Sequence, residues 1–363
     1  MTDDSVPQHG GQLRALARRF GIREDTLIDF SASISPIPPS DALIDALCVS
    51  IRSRRILTEY PDTDYRDLKQ VVARYTGVPA DSVCVGNGVM SLLAAALGAL
   101  NPRRCLVLIP AFGEYQRILA ACGVERHTLL LRDDEGFIFD SDAVLRELER
   151  SGADSVLVAN PHSPSGRTIS PDILRKLQQA ASSLGVTLVL DEAFIDYLPA
   201  ASLSSLASQA PRLVVLRSLT KFFALPGLRI GYAIARPEVR HRMEAMLPLW
   251  PVDMLAATAA SLVLEDAELA ENTRVANALH RSWLTEQMIE LGLRVHLSSA
   301  NYLLIRLPDH LDGFAVWRRL IVEHGIVVRN CVNFEGLSRQ HLRIAVRSRS
   351  ENELLIAALQ ALT

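Results

Sequence analysis

Four short apolar runs constrain this chain more than any other feature: Arg104–Ile109, Ser155–Ala159, Val186–Leu190 and Leu213–Leu216. They are rich in Val, Leu and Ile and show no regular alternation with polar residues. Such runs suit strands buried on both faces of a parallel sheet, where no face needs to meet water. Helical patterning stands around them, at Asp67–Tyr75, Met90–Leu100 and Pro171–Leu184. The alternation predicts an α/β domain with a mainly parallel sheet flanked by helices. The pattern changes after Pro251. Met254–Leu291, rich in Ala, Leu and Glu, reads as extended helix; Asn301–Arg306 and Leu342–Val346 read as strands, and a last helix starts at Glu351. A chain of 363 residues is long for one core. The expected division is therefore an N-terminal arm over 1–38 packing with the small domain, a large domain over 39–250, and a smaller α+β domain over 251–363. The Pro-rich stretch Ser35–Ser40 would be the linker after the arm.

Charge and composition narrow the function. With 38 basic and 41 acidic residues the net charge is −3, so nothing favours nucleic acid or an anionic membrane surface as a partner. The start, MTDDSVPQHGG, lacks the basic and apolar regions of a secretory signal. The most apolar stretch, Ser91–Leu100, is about half the length of a membrane span. Five scattered cysteines, with no C-x-x-C pair, suit a reducing cytoplasm; each is expected to be a buried structural thiol, and no zinc or other metal site is expected.

In parallel sheets ligands gather at the carboxyl ends of the strands, and three ends carry chemistry. The run Val186–Leu190 leads into Asp191-Glu192-Ala193-Phe194. A carboxylate there is costly unless a cation uses it, as a protonated pyridine nitrogen would; otherwise Asp191 caps the next helix. The run Leu213–Leu216 leads into Arg217-Ser218-Leu219-Thr220-Lys221-Phe222-Phe223. Lys221, set among Leu and Phe, is partly desolvated, which lowers its pKa and makes the amine nucleophilic. Ser218 and Thr220 can donate to a phosphate, and Arg229, eight residues beyond Lys221, can clamp it. A lone lysine here would be a surface group at a strand end; the set of Ser218, Thr220, Lys221 and Arg229, thirty residues after Asp191, is far more specific. The third end, Gly86-Asn87-Gly88 opening a helix, can bring backbone N–H groups to an anion, although a plain turn would read the same.

These segments resemble the fold-type I pyridoxal 5′-phosphate (PLP) enzymes of aminotransferase class I/II. Within that group the chain is similar to the histidinol-phosphate aminotransferase branch, and most to the threonine-phosphate decarboxylases of cobalamin biosynthesis. The resemblance rests on His9-Gly10-Gly11, Asp29-Phe30-Ser31-Ala32, Tyr60-Pro61-Asp62, Gly86-Asn87-Gly88, Pro110 to Tyr115, Asp191 to Asp196, Arg217 to Phe222, Pro226 to Tyr232, Ala300 to Leu304 and Leu342 to Ser348. It implies that Lys221 carries PLP as a Schiff base, that Asp191 pairs with the pyridine nitrogen and that Phe112 stacks on the ring. It implies that Gly86, Asn87, Gly88, Ser218, Thr220 and Arg229 hold the cofactor phosphate. Tyr60 would reach the phosphate in a neighbouring subunit, making a homodimer with shared sites. Arg343 would hold the substrate α-carboxylate, with Arg329, Arg347, His9 and Ser33 as further substrate contacts. For Arg343, Arg329 and Arg347 the plainer reading is surface arginine, and for His9 a mobile terminus.

The chain also departs from those relatives. Ser163 stands where the branch usually has an asparagine bonded to the cofactor's phenolic oxygen. Val89-Met90 stands where an acid is common after the glycines, Ser33 and Ser35 where the decarboxylases tend to have asparagine, and Phe194 where aminotransferases often have a hydroxyl. The expected activity is that of a carboxy-lyase acting on a small anionic amino acid, L-threonine O-3-phosphate first. The rivals are an aminotransferase of the histidinol-phosphate type, a decarboxylase of a related phosphonate, and a non-enzymatic binding protein of the same fold.

Overall fold

A computed structural model describes residues 6–362 of the chain. Twelve strands form two sheets among the described residues. In chain order they are β1 (Ile28–Phe30), β2 (Val83–Gly86), β3 (Arg104–Ile109), β4 (Glu125–Leu130), β5 (Ser155–Ala159), β6 (Thr187–Asp191), β7 (Leu213–Ser218), β8 (Gly231–Ile234), β9 (Arg294–Val295), β10 (Tyr302–Arg306), β11 (Ile326–Asn330) and β12 (His341–Ala345).

The large sheet has seven strands in the order β2-β8-β7-β6-β5-β3-β4. The neighbours from β7 to β4 pair in parallel, and β8 runs antiparallel to both β2 and β7. The expected mainly parallel α/β sheet is thus present. Every residue of β5, β6 and β7 is buried, as unbroken apolar runs require. Helices close the faces. Pro171–Ser183, for example, starts on Ser170, whose hydroxyl accepts from Ile173 N–H, and turns Leu174, Leu177 and Ala181 inward.

The run read as Val186–Leu190 is displaced by one residue in the structure. β6 ends on Asp191 itself, which lies in register with Ala159 and Leu216. β7 likewise continues to Ser218, so Arg217 and Ser218 are strand residues. The smaller sheet has the order β1-β11-β12-β10-β9, with only β1 and β11 parallel. Its core takes Leu16, Ala17, Leu27 and Phe30 from the arm together with Trp317, Leu320 and Leu355.

The single long helix expected over Met254–Leu291 is two helices, Met254–Glu265 and Ala267–Glu290. Asp266 breaks it: its backbone leaves helical geometry and its side chain caps the second helix at Leu269 N–H. Packing also hands over later than residue 250. Ala256, Ala259, Ala260, Val263 and Ala270 belong to the large-sheet core, whereas Leu284 and Met288 belong to the small one. Cys84, Cys105 and Cys331 are buried, but Cys48 and Cys122 are exposed, which corrects the expectation for those two. Cys48 lies on an exposed position of helix Asp41–Arg52, and Cys122 follows the end of helix Glu114–Ala121. No helix among the described residues is long and apolar enough to cross a membrane.

Candidate active site

The ends of β2, β3, β5, β6 and β7 open into one cleft of about 240 Å³, closed from the other side by β12, β11 and the N-terminal arm. Lys221 and Asp191 face each other's charge across it. Burial, reinforced by the Arg343 and Arg229 guanidiniums, brings the Lys221 amine down to about 8, against a smaller opposing pull from Asp29 and Asp191. That is the desolvation expected from its Leu and Phe neighbours, and it leaves a usable fraction of neutral amine near neutral pH.

Asp191 is buried, and burial pushes its carboxyl upward. Two donors oppose that push: the Tyr115 hydroxyl, 2.5 Å from Oδ2, and the Ala193 N–H, 3.0 Å from Oδ1. Tyr115 also stands edge-on to Phe112, with ring centroids 5.8 Å apart. The phenol therefore fixes the carboxylate and braces the cleft's aromatic wall together. The other acids of this segment turn away from the cleft. Asp196 accepts from Arg217 at 2.5 Å, and Glu192 lies 3.6 Å from the same guanidinium, which anchors the turn after β6 to β7 from behind.

The anion cradle forms where helix Gly88–Leu100 begins. No side chain caps this helix, so its first N–H groups remain available. Gly88 has φ +75°, and a Cβ there would lie 3.1 Å from Arg229 Nη2, so the close approach of the arginine needs glycine. Ser218 Oγ and Thr220 Oγ1 lie 2.8 Å apart on the opposite wall. Arg229 makes one long bond, 3.5 Å to the Pro226 carbonyl, and otherwise faces the cleft. Gly86 and Asn87 lead into this turn, while Gly88 and Val89 supply the lining. A phosphate-bearing cofactor with a basic ring nitrogen and an aldehyde fits this set: amides and Arg229 for phosphate, Asp191 for the nitrogen, Lys221 for the carbonyl carbon.

The expected substrate contacts divide. Arg343 lines the cleft with Nη1 3.3 Å from Ser163 Oγ and Nη2 3.4 Å from the Ser31 carbonyl, and its Nε has no partner. Ser163 thus meets the arginine as well as the cofactor region. Ser33 is buried in the cleft wall with its hydroxyl unpartnered. Arg329 also lines the cleft, but its donors hold the arm: Nη1 to the Pro7 carbonyl at 2.7 Å, Nη2 to the Gln8 carbonyl at 2.5 Å and to Asn333 at 2.8 Å. His9 follows on that strap, 3.1 Å from Glu114 and against the Phe112 ring. The strap passes Ser31 so closely that a Cβ on Gly10 would lie 2.2 Å from the Ser31 carbonyl oxygen. Arg347 lies outside the cleft, bound to Glu351 and to the Asp29 carbonyl, because it falls beyond the end of β12 and turns toward the last helix. Tyr60 is also outside, 76% exposed and stacked on Trp250.

Tyr115 and Asp29 stand in the motifs that carry the resemblance, but the sequence assigns them no role. Asp29 Oδ1 accepts from Ser31 N–H, Ser31 Oγ–H and Ala32 N–H, which shapes the turn under the arm. His162, next to Ser163, is a further residue to which the sequence assigns no role. Its ring bridges the Pro110 carbonyl and Ser165, tying the loops after β3 and β5 together, and burial lowers it to about 4.

Comparison with known proteins agrees with this geometry. The family described as aminotransferase class I and II matches residues 25–359. The threonine-phosphate decarboxylase of Salmonella typhimurium is 36% identical, covering 97% of this chain and 95% of its own length. Histidinol-phosphate aminotransferase 1 of Methylococcus capsulatus is 33% identical, covering 93% of this chain and 92% of its own. The crystal structure of the histidinol-phosphate aminotransferase from Clostridium acetobutylicum superposes with a TM-score of 0.85 at 27% identity, covering 93% of this chain and 99% of that one. The chain belongs to aminotransferase class I and II, a family of fold-type I enzymes that use pyridoxal 5′-phosphate as cofactor.

Proposed function

We propose that the protein decarboxylates L-threonine O-3-phosphate to (R)-1-aminopropan-2-yl phosphate, a carboxy-lyase step of cobalamin biosynthesis. The observation that carries this reading is the surplus of arginine in the cleft. Arg229 suffices for the cofactor phosphate; Arg343 remains with its Nε unpartnered, and Arg329, whose donors hold the arm, adds a further positive charge to the lining. Among the described residues, Asp191 is the one acid lining the cleft. A substrate with two anionic groups suits that surplus, and the Salmonella relative's description supports the assignment.

PLP, when bound, supplies an electron sink for the pair left at Cα. The chain's own residues decide which bond at Cα yields that pair. Arg343 holds the substrate carboxylate, and the braced wall of Phe112 and Tyr115 fixes the plane against which it is oriented. Arg329, with His9 beside it, meets the distal anion. Cleavage of the Cα–carboxylate bond releases CO₂, the pair stays at Cα, and a proton completes the product. Lys221 Nζ, in the same cleft, would carry that proton. Asp191, whose two donors oppose the upward push of burial, would hold the ring-nitrogen proton in place.

A homodimer completes the site in this reading. Tyr60, stacked on Trp250, is exposed, as are Leu57, Leu249 and Met246, which gives apolar surface suited to a second copy. Tyr60 would then serve the partner's phosphate cradle. Sedimentation of the holoenzyme as a monomer would remove this part.

The test of function is incubation of the holoenzyme with L-threonine O-3-phosphate and no 2-oxo acid. CO₂ and an aminoalkyl phosphate are the expected products. Turnover only after a 2-oxo acid is added, with histidinol phosphate as amino donor, would replace the proposal with the aminotransferase reading favoured by the Methylococcus relative.

A further inference from the structure

Away from the cleft, three side chains distant in sequence meet where the loop after β4 touches the small sheet. They are Asp133 in that loop, His296 after β9, and His341 at the start of β12. His296 is 6% exposed and His341 2% exposed. Asp133 Oδ1 lies 2.8 Å from His296 Nε2 and 3.4 Å from His341 Nε2. Yet none of the three atoms makes an aligned hydrogen bond to any partner. One carboxylate oxygen thus converges with two imidazole nitrogens without an aligned hydrogen bond to either, an arrangement that suits ligands around a shared ion.

We propose that Asp133 Oδ1, His296 Nε2 and His341 Nε2 bind one divalent transition ion, with zinc the best match, clipping the large-domain loop to the small sheet. Two imidazoles and one carboxylate are a zinc-type donor set, and the ligand atoms, all within 4.8 Å of one another, can surround one ion. The Asp133 side chain is 22% exposed, which leaves a path for the ion and for a water as fourth ligand.

The surrounding groups shape the site. Ser338 Oγ lies 2.9 Å from His341 Nδ1 and can accept its N–H, the outer bond that metal-bound histidines keep. The Ser338 backbone N–H, 3.1 Å from the same nitrogen, gives up its bond when His341 takes that tautomer. Arg294 and Arg306 lie 3.8 and 4.0 Å from Asp133 Oδ2, the oxygen facing away from the proposed ion. Their charge weakens binding of a dication and favours an ion with strong imidazole affinity over magnesium or calcium. His341 is two residues along β12 from Arg343, so the clip fixes the height of the substrate arginine above the large sheet.

The test uses the PLP-loaded enzyme, stripped with a chelator and titrated with Co²⁺ as a spectroscopic probe, then with Zn²⁺. One Co²⁺ per chain is expected, with visible bands of a four-coordinate ion that Zn²⁺ abolishes. X-ray absorption should show two imidazole ligands, and Zn²⁺ should raise the melting temperature. In the doubly substituted His296→Gln, His341→Gln protein, binding should weaken roughly 100-fold or more. Absence of stoichiometric binding to the wild type would overturn the proposal. So would a coordination shell without two imidazoles, or an unchanged Co²⁺ spectrum in the double variant. The wild-type spectroscopy decides the matter even if the double variant fails to fold.

Discussion

Replacing Tyr115 by phenylalanine isolates one bond at the centre of the site. The hydroxyl is 2.5 Å from Asp191 Oδ2 in a buried setting, and the ring of the variant can keep its edge-on packing against Phe112. A hydrogen bond to a charged group contributes about 1.5–3 kcal/mol, and each 1.4 kcal/mol is about tenfold, so the loss is about 10- to 150-fold. That loss falls on the ionised carboxylate, the form that holds the cofactor's ring-nitrogen proton. Burial already pushes Asp191 upward, and removing a donor that opposes it moves the carboxyl further in that direction. A group displaced upward protonates at a higher pH. The variant's deficit should therefore widen as pH falls and narrow as it rises. Cofactor dissociation, followed by absorbance on titrating PLP into the apoenzyme at several pH values, reads the effect directly; kcat at saturating PLP reads its share in turnover. Equal dissociation constants for the two proteins across the pH range would refute the assignment of Tyr115 as the residue that positions Asp191.

The other predictions concern the same cleft. Lys221→Ala should abolish turnover and borohydride fixation of PLP, while Arg229 and the helix terminus still retain the cofactor non-covalently; substantial residual turnover would remove the lysine's role. Arg343→Ala should lower kcat/KM by about 10- to 150-fold, from one lost charge-assisted contact, and unchanged kinetics would count against the carboxylate clamp. The Lys221 amine, brought down to about 8, has roughly a tenth of its population neutral at pH 7. Amine modification in the apoenzyme should rise with pH and level off above about 8. Because Arg343 helps to lower that amine, Arg343→Ala should shift the midpoint upward.

What could be read from the sequence follows the covalent chain. Asp191 and Lys221 stand at or just beyond the ends of β6 and β7, and an apolar run followed by a charged group announces itself locally. Tyr115 gives no such signal, since a tyrosine on a helix reads as ordinary packing until the fold places its hydroxyl on Asp191. Strand β8 was missed for a related reason: its few residues lie between Arg229 and a helix, and only its pairing with β2 and β7 makes them a strand. Arg347 marks the opposite error. Its motif suggested kinship with Arg343, but β12 stops at Ala345, so the alternation that directs Arg343 does not reach it, and Glu351 on the next helix takes its charge. Asp133, His296 and His341 are the extreme case. They share no motif and no element, and the expectation of no metal site rests on cysteines that form no close pair. The site proposed from the loop after β4, the end of β9 and the start of β12 has no period or spacing to detect. Its trace is chemical: three polar atoms that converge in a buried place without an aligned hydrogen bond among them.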